Sequence, residues 1–265
     1  MPKNLFTVFT KPWKMPLPEL GEFIAGLGFD GIELPVRPDY QVEPDAVTTG
    51  LPEAARILGD YGVRIVSIAG PTDETAIAAC AEAGVPIIRI CQPMNDPDGY
   101  LAAERRVCEE YDALVPRLDR HGVTLGVQNH CDLQVPHALG LRRILERYDP
   151  RHIAAVWDPA HCALDGERPE LAADIVWPHL CMLNLKNAVW VRTSEPDAEF
   201  ATWRHTWVPG REGLCPWPVV AAETKARGYA GPICLTAEYS DHDRVDEFIV
   251  QDLAFARSLF CEEEE

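Results

Sequence analysis

Tyr100 to His130 reads YLAAERRVCEEYDALVPRLDRHGVTLGVQNH, an amphipathic run followed by a short apolar one. The pattern predicts a helix over about Tyr100 to Arg120, stopped at His121-Gly122 where a glycine C-cap fits, and a strand over Thr124 to His130. The strand is apolar until it closes on Gln128-Asn129-His130. A strand buried on both faces of a parallel sheet should stay apolar to its end, so the polar close requires an explanation.

The same unit recurs on both sides. Upstream, strands Asn4 to Thr10, Gly31 to Leu34, Arg64 to Ala69 and Ile87 to Gln92 alternate with helices. The first helix starts near Leu17-Pro18-Glu19 and stops at Gly26 or Gly28, and the next two span Glu53 to Tyr61 and Glu74 to Ala83. Downstream, helix Leu141 to Tyr148 precedes strand Ile153 to Asp158, and helix Pro169 to Leu180 precedes strand Cys181 to Lys186. Helix Trp217 to Arg227 then leads to strand Pro232 to Tyr239, and a last helix runs from about Arg244 to Phe260. Eight strands alternating with eight helices in about 250 residues imply right-handed parallel crossovers and closure into a (β/α)8 TIM barrel, an α/β single domain over residues 1–265. An open dinucleotide-binding sheet lacks its Gly-x-Gly-x-x-Gly turn after the first strand. Long loops at 35–52 and 188–216 follow strands, on the barrel face where active sites sit. Glu262 to Glu265 reads as a solvated tail.

Of 265 residues, 47% are hydrophobic and 25% charged, enough for one large core and too apolar for a disordered chain. The formal net charge of -18 argues against a nucleic-acid or anionic-membrane partner. No apolar run is long enough to span a bilayer and the start lacks a secretory signal, which predicts a cytoplasmic protein. The nine cysteines form no Cys-x-x-Cys pair and read as reduced thiols in or near a core. A homo-oligomer is compatible with this composition.

The polar close of the fifth strand has counterparts. The second strand ends in Glu33, the fourth in Gln92, the sixth in Trp157-Asp158, the seventh in Asn184-Leu185-Lys186 and the eighth in Glu238. Because side chains alternate along a strand, Gln128 and His130 share a face, as do Asn184 and Lys186, and on the inward face they converge with Asp158 and Glu238. Two carboxylates and two amides, with no imidazole or thiolate, would suit Mg2+ or Mn2+ better than Zn2+. The alternative is that amides and acids hydrogen-bond one another with no ion present, with Lys186 in a salt bridge to Glu238 or Asp158.

These strand ends resemble the xylose isomerase-like TIM barrels, the sugar phosphate isomerases and epimerases. The phrases that carry the resemblance are Gly126-Val127-Gln128-Asn129-His130, Trp157-Asp158-Pro159-Ala160-His161, Asn184-Leu185-Lys186-Asn187, Gly210-Arg211-Glu212-Gly213-Leu214-Cys215-Pro216-Trp217, and Gly228-Tyr229-Ala230-Gly231 leading to Glu238-Tyr239. The resemblance implies metal ligands at Gln128, Asp158, Asn184 and Glu238, with Gln128 standing where Glu is usual and Asn184 where His is usual. An amide is not a useful base near neutral pH, so an epimerisation that needs a glutamate on each face of the substrate loses one of them.

What survives is proton abstraction beside a carbonyl of a sugar or keto-sugar through an enediolate, assisted by Mn2+ or Mg2+. Glu238 is the expected base, His161 the group that stabilises or protonates the substrate oxygen, and Lys186 the positive charge beside it. Glu33, Gln92, His130, Trp190 and Arg192 are expected to contact the carbohydrate. Trp13, Trp203 and Trp207 could add apolar faces, and Arg204 and Arg211 could bind a carboxylate or phosphate. The competing readings are a dehydratase acting on a sugar or keto-inositol at the same site, a sugar-binding barrel or enzyme subunit without catalysis, and, less in keeping with the oxygen-rich site, a Schiff-base aldolase using Lys186.

Overall fold

The computed structural model describes residues 4–261, so the Glu262–Glu265 tail lies outside the described residues. In chain order the strands are β1 (Leu5–Phe9), β2 (Gly31–Pro35), β3 (Arg64–Ala69), β4 (Ile87–Cys91), β5 (Thr124–Gln128), β6 (Ile153–Trp157), β7 (Leu180–Leu185), β8 (Asn187–Arg192), β9 (Trp203–Val208) and β10 (Pro232–Leu235). The helices are α1 (Leu17–Leu27), α2 (Val47–Gly59), α3 (Glu74–Ala83), α4 (Tyr100–His121), α5 (Ala138–Leu145), α6 (Pro159–Leu164), α7 (Pro169–Val176), α8 (Trp217–Ala226) and α9 (Val245–Phe260). Eight parallel strands close a barrel in the order β1-β10-β7-β6-β5-β4-β3-β2, and β8 pairs antiparallel with β9 as a separate hairpin. The fold is the expected (β/α)8 barrel. Among the described residues no helix is long and apolar enough to cross a membrane.

Several boundaries differ from the sequence expectation, each for a local reason. The 188–216 stretch holds a β-hairpin, because Val189, Trp190 and Val191 pair across it with Thr206, His205 and Arg204. The 35–52 loop ends early, since α2 begins at Val47 and runs through Pro52, whose missing N–H leaves the Thr48 carbonyl without its usual helical donor. The Asp158-Pro159-Ala160-His161 turn is a short helix of its own: the Asp158 carboxylate accepts the N–H of Ala160 at 3.1 Å and of His161 at 3.4 Å, and Pro159 sits at the first helical position. The eighth barrel strand stops at Leu235 because Ala237 takes a left-handed φ of 51° just before Glu238. The fifth stops at Gln128, and the Asn129 side chain continues its pairing. Its Nδ2 donates to the Asp158 carbonyl at 2.9 Å and its Oδ1 accepts the Asp158 N–H at 2.8 Å, so the ends of β5 and β6 are bolted together.

Most of the apolar core lies between barrel and helices, with Ile24, Leu51, Ile77, Leu141, Trp217 and Ile249 among its fully buried members. Inside the barrel a smaller layer of Phe9, Ala69, Ile87, Val156, Met182 and Cys234 forms a plug. Within it Arg89 makes a buried salt bridge to Glu33, which also accepts from Ser67 Oγ at 3.1 Å, and the Arg89 guanidinium lies 4.7 Å from the Phe9 ring centre. This plug is the floor beneath the polar strand ends.

Candidate active site

One step above the floor, side chains from the first, fifth, sixth, seventh and eighth barrel strands meet. Lys186 Nζ lies 3.4 Å from Asp158 Oδ2 and 3.1 Å from Glu238 Oε2, and Lys11 Nζ lies 2.6 Å from Glu238 Oε1. Gln128 Nε2 donates to Asp158 Oδ2 at 2.8 Å, and the Gln128 carbonyl oxygen lies 3.6 Å from Cys91 Sγ. The Lys186 ammonium sits 4.4 Å from the centre of the Trp207 ring, which the hairpin lays over it. Burial disfavours the charged form of Lys186, but Asp158 and Glu238 outweigh it and raise its pKa, so the ammonium persists. Burial likewise works against the Glu238 carboxylate, and the Lys186 and Lys11 ammonium groups hold it well below the usual range. Burial pushes Asp158 up, opposed first by Lys186, and every polar contact the carboxylate makes is with a donor, as an ionised group requires.

Beside these charges lie two histidines whose rings pack against each other at a 35° tilt with centres 3.9 Å apart. Both are gripped by Cys131. His130 Nδ1 is 2.9 Å from the Cys131 carbonyl, which can only accept, so Nδ1 carries the hydrogen and Nε2 presents a lone pair. His161 Nδ1 is 3.0 Å from the Cys131 N–H, which can only donate, so His161 carries its hydrogen on Nε2. That Nε2 has no hydrogen-bond partner among the described residues; Asp158 Oδ2 is 3.6 Å away, too far for a good bond. Burial lowers both imidazoles, for His130 against the pull of the Cys131 carbonyl, and both are neutral at neutral pH. Asn184 is fully buried and among the described residues finds no partner for either amide atom, a cost of about 1–3 kcal/mol per group unless a ligand or water supplies one.

A Mn2+ or Mg2+ ion held by Gln128, Asp158, Asn184 and Glu238 does not fit this arrangement. The two carboxylates are already balanced by two ammonium groups, and Gln128 turns its N–H toward Asp158. A divalent charge about 4 Å from the Lys186 ammonium would meet roughly 8 kcal/mol of repulsion at an effective dielectric of about 20. Groups of possible ligand atoms for a divalent ion do occur nearby: those of His130, Cys131 and His161 lie within 4.8 Å of one another, as do those of Cys131, Asp132 and His205. Burial pushes the Cys131 thiol up to about 12, and one nitrogen of each of the two adjacent imidazoles is taken by the Cys131 backbone.

The remaining residues expected to contact a carbohydrate are engaged by other groups of the protein. Glu33 is sealed in the floor with Arg89. Gln92 accepts from the Tyr111 hydroxyl at 3.1 Å under the α4 side of the barrel. Trp190 donates from Nε1 to the Leu164 carbonyl at 3.0 Å, and Arg192 ties the hairpin tip through Ser194 Oγ and the Glu195 and Pro196 carbonyls. Trp13 Nε1 donates to Asp246 Oδ1 at 2.8 Å, which ties the segment after β1 to the start of α9. Lys11 was not among the expected residues, although it too stands just beyond a strand end, after Phe9-Thr10. Cys131 acts through its backbone, which no residue type announces.

Fold and site together define a closed α/β barrel whose strand ends carry a cluster of carboxylates, ammonium groups and imidazoles. The sequence model of the xylose isomerase-like TIM barrel matches residues 22–259, and the chain belongs to that family. Among solved structures, a D-psicose 3-epimerase shares 14% identity with a TM-score of 0.73, covering 97% of this chain and 100% of that one. A 3-keto-D-glucoside 4-epimerase from E. coli shares 15% with a TM-score of 0.73, covering 97% and 100%. A probable 3-DHS dehydratase from Bacillus anthracis shares 15% with a TM-score of 0.71, covering 94% and 97%. At these identities the likeness establishes the fold alone. No curated protein matches the chain by sequence.

Proposed function

We propose that the chain isomerises or epimerises a sugar or keto-sugar by moving a proton at a carbon next to a carbonyl. The observation that carries this reading is the Cys131 clamp, which gives two adjacent neutral imidazoles opposite tautomers. His130 Nε2 is then the base that takes the proton, and the His161 Nε2–H donates to the carbonyl oxygen as it gains negative charge. Lys186 supplies fixed positive charge beside that oxygen, and Asn184 offers unused amide atoms to the neighbouring hydroxyls. Glu238, expected to be the base, is pinned between Lys11 and Lys186 and serves instead to hold the Lys186 ammonium in place. Trp207, stacked edge-on to His161, is the aromatic wall on the hairpin side. Mn2+ or Mg2+ takes no part in this reading.

Two of the structural neighbours are epimerases and one is a probable dehydratase, which gives the choice of reaction its range. Incubation of aldoses, ketoses and keto-inositols in deuterated water tests it. Isomerisation or epimerisation predicts uptake of one solvent deuterium at the carbon beside the carbonyl, with no other change of mass. Loss of water would assign the dehydratase reading, in which His161 Nε2–H protonates the leaving hydroxyl. No exchange across the panel would contradict both and leave a barrel that binds without turnover.

A further inference from the structure

The inward ring of strand-end side chains surrounds an ammonium group. We propose that Lys186 is the resident cation of this pocket, and that the protein keeps its fold and its site without a divalent metal. Lys186 Nζ bridges Asp158 and Glu238 at 3.4 and 3.1 Å, its side chain is only 4% exposed, and Lys11 caps the far oxygen of Glu238 at 2.6 Å. Two carboxylates and two ammonium groups leave no net charge for an added ion to neutralise. The surroundings suit an organic cation. The Trp207 ring lies 4.4 Å from Nζ and offers a π face, where a metal ion would need further oxygen ligands. Gln128 presents its N–H to the oxygen of Asp158 that faces Lys186, which extends the donor set around that carboxylate. The Lys186 backbone is also fixed, because Trp217 Nε1 donates to its carbonyl at 3.1 Å. The proposal concerns charge balance and stands or falls separately from the reaction proposed above.

The test uses the full-length protein as purified. Elemental analysis should find far less than one equivalent of Mn, Mg, Zn or Fe, and neither EDTA nor added Mn2+ should move the melting temperature. Lys186→Gln removes the charge while keeping a polar side chain. It should lower the melting temperature, and the variant should bind Mn2+ at least about tenfold more tightly than the wild type by calorimetry, one decade being about 1.4 kcal/mol. Lys186→Arg, which keeps the charge, should show no gain in Mn2+ affinity. A stoichiometric metal in the purified wild type, a wild-type melting temperature that drops on chelation, or equal Mn2+ affinity in wild type and Lys186→Gln would overturn the proposal. Where Lys186→Gln fails to fold, the wild-type metal content and the chelation response decide the matter alone.

Discussion

His130 and His161 are thirty-one residues apart in sequence and in ring contact in the fold, and the peptide group of Cys131 sets what each can do. Replacing His130 by Gln keeps a hydrogen-bonding side chain and removes the base, so kcat/KM on the substrate found by deuterium exchange should fall by about 10²–10⁴ with the fold intact by circular dichroism. Because burial depresses the His130 pKa, the base is already free at pH 6.5, and the acid limb of the kcat/KM profile should lie below that value. At this scale much was legible. Asp158, Lys186 and Glu238 announce themselves as polar groups closing buried strands, whereas His161 is singled out only by the family resemblance. Of the expected alternative, the Gln128–Asp158 hydrogen bond and the Lys186 salt bridges are present, whereas Asn184 bonds neither acid among the described residues. The roles were less legible, because a carboxylate's basicity depends on which ammonium groups lie against it, and Lys11 reaches Glu238 across 227 residues.

The hairpin β8–β9 brings Trp207 over Lys186, and one residue anchors its base. Asn187 donates from Nδ2 to the Gly210 and Cys215 carbonyls, each at 2.8 Å, and its Oδ1 accepts the N–H groups of Ala188 and Cys215 at 3.0 and 2.9 Å. Asn187→Ala leaves those buried groups unpaired and should cost about 2–4 kcal/mol in urea unfolding. A Cβ at Gly213 would meet Asn187 Oδ1 at 2.0 Å, so this loop needs glycine at that point. A second tie joins α9 to the site wall: Asp252 accepts the Gly210 N–H and the Tyr239 hydroxyl, both at 2.8 Å. Burial, partly offset by these two bonds, raises the Asp252 pKa to about 6. A raised carboxylate favours the fold fully below its unfolded pKa, and that contribution is lost as pH rises through about 6. Asp252→Asn should therefore flatten the pH dependence of stability between about pH 4 and 6, by up to roughly 3 kcal/mol relative to the wild type. The hairpin was not legible in the sequence because its strands carry Asn, Arg, Thr and His among the apolar residues, a pattern that pairing with a neighbour stabilises more than burial does. The short helix α6 did carry a signal, Asp followed by Pro, which is both an N-cap and a first-turn residue.

Across the whole molecule, eight alternating units of apolar strand and helix in about 250 residues, without the glycine turn of an open dinucleotide-binding sheet, were enough to specify the barrel. Its interior was harder to read. Arg89 stands within the run Ile87-Ile88-Arg89-Ile90, where a lone charge has no stated partner until the barrel closes and brings Glu33 to it. Glu33→Ala would strand that guanidinium in the floor, and the barrel should lose roughly 3–5 kcal/mol by denaturant unfolding. Above this floor Lys186 bridges Asp158 and Glu238, and whether that ammonium or a metal ion occupies the strand ends is the central question about the site. Crystals grown with an excess of Mn2+, measured at the manganese absorption edge, test it most directly. Lys186 Nζ between Asp158 and Glu238, with no anomalous peak among the strand ends, is the predicted result; a manganese peak there with Lys186 swung aside would contradict the account.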